Sequence, residues 1–199
     1  TMLLQRCGHS CAAAEALSVI CVWCRLGGGT SVERLRDAGA ARVMMQLVRG
    51  DDGSSDASLC DEVSQVLSWL SGAGAGSGAV GGASDGDGAA LDDRGGTDTQ
   101  RRGRAELVSC GALSFLVEHA SRGSSGAVSV SACAESLLQW ARDEEGVESV
   151  LEHGGVACMV RLCGAEGNVD AQRHASEGLS CLARHEGARV LFLEGDNSL

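Results

Sequence analysis

The residues best placed to do chemistry gather near the start of the chain, where Cys7, His9, Cys11, Cys21 and Cys24 fall within eighteen positions. Cys21-x-x-Cys24 has the spacing of a zinc knuckle, which needs a tight turn between its thiolates. Both thiols instead lie inside a stretch with helical periodicity, which favours cysteines used as packing groups. Of the remaining cysteines, at 60, 110, 133, 158, 163 and 181, most fall on apolar faces. A free thiol packs as a small hydrophobe, and a reducing compartment keeps it so. The expectation is a chain without structural metal, in the cytoplasm, with the nucleus left open as the lesser alternative.

The other reactive types are scattered. His119, His153, His174 and His185 fall on different helical stretches, and none forms a motif with a Ser or Cys nucleophile. The carboxylate pairs Asp51-Asp52, Asp92-Asp93 and Glu144-Glu145 sit in loops or at helix starts, where solvation and the helix dipole account for them. GAVGGASDGDG, at 78–88, is rich in glycine but has no Gly-Lys-Ser/Thr and no strand before it, so it is not a phosphate loop. These readings predict a protein that is not an enzyme, takes no cofactor and has no small-molecule substrate. The net charge of −11 argues against nucleic acid as the main partner. No run of apolar residues is long enough to span a membrane, and no secretory signal is recognisable.

The elements carrying these residues repeat. Gly39, Gly111, Gly154 and Gly195 each close a short charged segment (RLRDAG, AELVSCG, SVLEHG, VLFLEG), at steps of 72, 43 and 41 residues. A second column, Leu17, Leu67, Leu137 and Leu179, steps by 50, 70 and 42. Each of these leucines follows a small or β-branched residue (Ala16, Val66, Ser136, Gly178) and precedes, by three, a large apolar one (Ile20, Leu70, Trp140, Leu182). Both columns describe a unit of about 42 residues with extra chain inside one copy, the signature of a helical solenoid.

Helical pattern is expected over 10–25, through Asp37, over 40–49 and 57–71, then over 102–110, 112–121, 127–142, 144–153, 155–163, 169–184 and 186–194. Gly27-Gly28-Gly29 is read as ending the first helix, with Thr30-x-x-Glu33 as a capping box opening the next. Met44, Leu47 and Val48 are expected to face inward from the second. Val156, Met159, Val160 and Cys163 recur at helical steps and are assigned to one face; Asn168 is read as an N-cap. Gly178 within a helix costs roughly 1 kcal/mol relative to Ala, a cost that close approach of another helix would offset. Residues 72–101 are mostly Gly, Ala, Ser and Asp, too poor in apolar surface to offset ordering entropy, and are expected to be a disordered insertion. It divides the repeats into 1–71 and 102–199.

These units resemble the armadillo repeat. The matching turns into its second helix are GAARVMMQLV at 39–48, GALSFLVEHA at 111–120 and GGVACMVRLC at 154–163. The matching ends of its third helix are EALSVIC at 15–21, QVLSWLS at 65–71, ESLLQWA at 135–141 and EGLSCLA at 177–183. The proline usual in the turn is replaced by Arg42, Ser114 and Ala157, and the chain has no proline at all. The resemblance implies an all-α, right-handed α-α superhelix of about four repeats, incomplete at both ends, and a piece of a longer solenoid.

It further implies a scaffold that holds a partner polypeptide on a concave wall of third helices. The alternative is the substrate-binding or regulatory arm of a larger protein such as a ubiquitin ligase or a kinase. Family members that bind extended peptides grip the peptide backbone with third-helix asparagines. The corresponding positions here are Val19, Trp69, Gln139 and Cys181, so the asparagine ladder is missing. The column that carries tryptophan in importin alpha is Glu15, Gln65, Glu135 and Glu177. With Asp61 and Arg173 one turn earlier, these make the candidate partner-binding face. Its glutamates with Asp61 predict an acidic wall suited to a basic segment.

Overall fold

A computed structural model describes residues 10–49, 57–72, 98–122 and 126–189. Nine helices carry the architecture among them: α1 Ser10–Asp37, α2 Ala40–Val48, α3 Ala57–Ser71, α4 Asp98–Ser109, α5 Ala112–Ser121, α6 Ala127–Ala141, α7 Glu144–Glu152, α8 Gly155–Cys163 and α9 Val169–Leu182. The described residues contain no strand. Three blocks follow one another: the C-terminal half of α1 with α2 and α3, then α4–α6, then α7–α9. The N-terminal half of α1 stands before them as a further third helix. Successive third helices lie side by side, α1 on α3, α3 on α6 and α6 on α9, while first and second helices pack along their back.

The glycine column works as a hinge. Gly39, Gly111 and Gly154 all adopt left-handed φ, at 65°, 79° and 74°, where an L side chain is strained. Each turns a first helix sharply into a second one without help from proline. The leucine column works as a spine. Leu17, Leu67 and Leu137 are fully buried, and Leu179 is half-buried against the same core. Three residues on, Leu70, Trp140 and Leu182 are buried too. Cys133 and Ala175, in one register, are both sealed inside. Gly178 fits its expected role: a Cβ there would lie 2.8 Å from Met159 Sδ and 3.6 Å from Leu138 Cα, so α9 approaches α6 and α8 closely because the side chain is absent.

Three expectations are corrected. α1 runs without a break through Gly27-Gly28-Gly29, and Thr30 Oγ1 donates to the Gly27 carbonyl (3.1 Å) as a mid-helix residue rather than a cap. Glycine is the weakest common helix former apart from proline, but neighbouring turns and the burial of Ser31 and Leu35 carry the helix across. In α8 the inward face is Gly155, Cys158, Met159 and Leu162, whereas Val160 is exposed. Val160 stands one residue, or about 100°, round from Met159. In α2 the expected inward set holds, with Met44 buried and Leu47 and Val48 half-buried against the same core, joined by Ala40, Ala41, Val43 and Met45. Finally, α4 begins at Asp98, inside the stretch assigned to the insertion. Residues 73–97 and Gly195 lie outside the described residues, as do Cys7, His9 and the Cys11 thiol.

Candidate binding surface on the third helices

The third helices expose three registers at four-residue steps, and these hold the candidate residues. Glu15, Gln65, Glu135 and Glu177 form one row across α1, α3, α6 and α9; Glu15 is exposed and the other three are half-buried. Val19, Trp69, Gln139 and Cys181 form the next, with Val19 69% exposed and the rest half-covered. Asp61 and Arg173 fall in the register one turn earlier. The periodicity of one third helix, copied across four, therefore brings the predicted residues other than Asp61 onto a single face.

Charge on this face is knitted between helices. Arg142, at the end of α6, forms an ion pair with Glu177 of α9. Arg173 lies 3.5 Å from Asp170 and also bears on Glu135. Burial raises the Glu135 carboxyl above the ordinary carboxylate range, and Arg173 and Arg142 oppose that. Between α1 and α3, Glu62 accepts from Ser18 Oγ (3.1 Å) and Cys21 Sγ (3.2 Å). Burial, reinforced by Glu62, drives the Cys21 thiol far up, and burial lifts Cys24 to about 11. Both are protonated packing groups at neutral pH, as expected from their helical setting. Among the described residues no cluster of metal-ligating side chains exists.

Asp61 departs from its expected part in the acidic wall. It turns inward, where His119 Nε2 donates to its Oδ1 (3.0 Å) and the Gly126 N–H reaches the same oxygen at 3.4 Å. His119 Nε2 also lies 2.7 Å from Ser129 Oγ, which is 2.7 Å from Ser64 Oγ. Ser64, Ser129 and His119 are buried, and Phe115 stacks on the imidazole with centroids 5.5 Å apart. This joins a serine, a histidine and an aspartate, but serine and carboxylate share one ring nitrogen. A proton relay needs the carboxylate on one nitrogen and the hydroxyl on the other. The cluster is a polar seam that fastens α3 to α5 and α6. No sequence motif announces it, since its members are 58 and 10 residues apart.

Sequence reasoning also passed over Glu62, Val22, Trp23 and Arg142. Val19, Val22, Trp23 and Leu26 follow helical spacing on α1 and are all exposed, Leu26 at 83%. That spacing was readable in the sequence, since all four residues precede Gly27.

No protein-family profile matches the sequence, and no curated protein does either. Solved structures do match. An engineered protein, a Northeast Structural Genomics Consortium target, superposes with a TM-score of 0.65 at 18% identity over 94% of this chain and 65% of its own. A second engineered target of that consortium gives 0.64 at 18% identity over 90% of this chain and 36% of its own. A designed armadillo repeat protein in complex with the peptide (KR)4 gives 0.62 at 18% identity, covering 91% of this chain and 62% of that one. The chain thus spans less than two thirds of the length of each of these structures. The fold is an armadillo-like repeat solenoid.

Proposed function

We propose that this armadillo-like solenoid is a non-catalytic scaffold that holds a partner polypeptide along the exposed face of α1, α3, α6 and α9. The observation that carries this is the continuous row Val19, Trp69, Gln139 and Cys181 beside Glu15, Gln65, Glu135 and Glu177, on four helices packed in sequence. A regular row of part-exposed side chains matches the regular repeat of an extended chain. The structurally similar designed armadillo protein carries a (KR)4 peptide, which supports a peptide as the ligand class here.

The preferred partner is a basic segment. Glu15 is exposed and Glu62 is half-exposed, bonded to a hydroxyl and a thiol, so among the described residues the α1–α3 end sets two carboxylates against the Arg25 guanidinium that bears on Cys21. The α6–α9 end is closer to balance, because Arg142 and Arg173 answer Glu177, Glu135 and Asp170. Basic side chains should therefore be held mainly by α1 and α3.

Fluorescence-anisotropy titration with a labelled alternating Lys/Arg peptide is the test. Saturable binding that weakens several-fold between low and physiological salt is expected. Glu15→Lys with Glu62→Gln should weaken it further, whereas Glu177→Gln should matter little. Binding insensitive to salt removes the basic-partner reading. Failure of every extended peptide, basic or neutral, to saturate the protein removes the scaffold reading along this face.

A further inference from the structure

The furrow between α1 and α3 carries apolar surface beyond the peptide row. Ser18, Val22 and Leu26 form a ridge at four-residue steps on α1, and Glu62 and Trp69, seven residues apart, share one face of α3. The two walls start together, because Ser18 Oγ and Cys21 Sγ both donate to Glu62. They also run the same way, since Arg36, further along α1, donates through Nε to the carbonyl of Leu70 near the end of α3 (2.8 Å). From that start Leu26 stands about 12 Å along one wall and Trp69 about 10 Å along the other, at about 1.5 Å per residue. Val22, Leu26 and Trp69 therefore line one stretch of furrow. Val22 and Leu26 are exposed, and Trp69 is half-buried.

Charge divides this furrow along its length. Glu62 marks one end, with Glu15 a turn before Val19 on the same side, whereas Arg25, which bears on Cys21, stands beside the apolar stretch. A chain that is basic throughout would set a cation against Arg25, and one that is apolar throughout would leave both carboxylates unanswered. Size narrows the occupant further. The exposed parts of Val19, Val22, Leu26 and Trp69 make a patch on the order of a few hundred Å². That is well short of the roughly 800 Å² per partner that a stable dimer buries. One large side chain of another polypeptide suits such a space.

Resting on the reading that a basic polypeptide lies along the third helices, we propose that the furrow takes one large apolar side chain of that polypeptide, about three residues from a lysine or arginine held at Glu62. The separation follows from α3 itself. Glu62 and Trp69 are about 10 Å apart along the helix, which three residues of extended chain span at about 3.3 Å each. The apolar side chain covers Val22, Leu26 and the open part of the Trp69 indole, and its presence there keeps a cation away from Arg25.

The test is fluorescence anisotropy of the intact chain with the labelled peptide Lys-Arg-Lys-Arg-Ala-Ala-Leu-Ala and two relatives in which Ala or Lys replaces the leucine. The leucine peptide should bind about five-fold tighter than the alanine one, and tighter than the lysine one despite its lower charge. Val22→Gln with Leu26→Gln, both at exposed positions, should bring the leucine-to-alanine ratio close to one while circular dichroism is unchanged. In ¹H–¹⁵N spectra the Trp69 indole N–H should shift more with the leucine peptide than with the alanine one, and that of buried Trp140 should hold still. Saturable but equal binding of the leucine and alanine peptides overturns this proposal alone and leaves the scaffold reading standing. Failure of all three peptides to saturate overturns both. A preference that survives the double substitution places the apolar contact outside the furrow and overturns the proposal. So does a dimer in sedimentation that the same substitution dissolves, because a second copy is then the occupant.

Discussion

At the scale of single residues, the spine separates leucines that look equivalent in the sequence. Leu137 is sealed between helices, whereas Leu179 in the same column is only half-covered. Their neighbours explain the difference: α6 lies between α3 and α9, whereas α9 has a described third helix, α6, on one side only. Leu137→Ala should therefore cost about 2–5 kcal/mol, and Leu179→Ala under about 2 kcal/mol. Urea unfolding of both variants checks this, and equal losses would contradict the unequal burial. The leucine register was legible because its period repeats four times. The unequal burial was not, because it depends on a helix approach that only the packed chain defines. Asp61 teaches the same lesson. Its register places it on the exposed face, but a histidine 58 residues away draws it inward.

At the scale of elements, glycine plays two opposite roles that composition alone cannot tell apart. Gly111 has φ 79°, and a Cβ would in addition lie 2.4 Å from Arg49 Nη2, so Gly111→Ala combines backbone strain with displacement of a guanidinium that bonds the Cys110 carbonyl at 3.1 Å. Gly29 lies within α1, and a Cβ there meets nothing within 4 Å. Gly29→Ala should stabilise by about 0.5–1 kcal/mol through helix propensity alone, while Gly111→Ala should destabilise by about 1–2 kcal/mol. Thermal melts followed by circular dichroism decide it. A loss of stability in Gly29→Ala would argue that the glycine run is a break and not a continuous helix. The turns at Gly39, Gly111 and Gly154 were readable since each follows a first helix and precedes an apolar run. The run at 27–29 carries the same residue without that context, and the burial of Leu35 beyond it decides for helix.

At the scale of the whole molecule, two of the three seams between third helices, α3 on α6 and α6 on α9, each hold a histidine that burial keeps below its ordinary pKa. His119, between α3 and α6, is lowered by desolvation, with Asp61 opposing and Arg122 adding to the shift. His174, on α9 against α6, is lowered by desolvation and then by Arg173, with Asp170 and Glu177 opposing. The unfolded chain takes up these protons from about pH 6.5 downward, and the folded chain takes them up only at lower pH. Below that point the unfolded state binds more protons, so stability is flat above about pH 6.5 and falls as the pH drops toward the folded values. Glu135, whose pKa is raised by burial, has the reverse sign. In the folded chain it keeps its proton above the ordinary carboxylate pKa, and so favours folding as the pH falls toward about 4.5. The measured slope is the difference of these two effects, with two histidines against one glutamate. Chemical-denaturation midpoints between pH 7 and 5 should decline for the natural chain. In His119→Gln/His174→Gln, where the seams keep polar contacts but lose the titration, that decline should flatten or reverse. If the double variant keeps the full slope, acid acts on the surface charges of a chain with net charge −11 rather than on the seams. Because the blocks touch only their neighbours, loosening both seams should separate third helices in turn. Hydrogen exchange at pH 5 should then show α3, α6 and α9 losing protection before the interiors of α2 and α8.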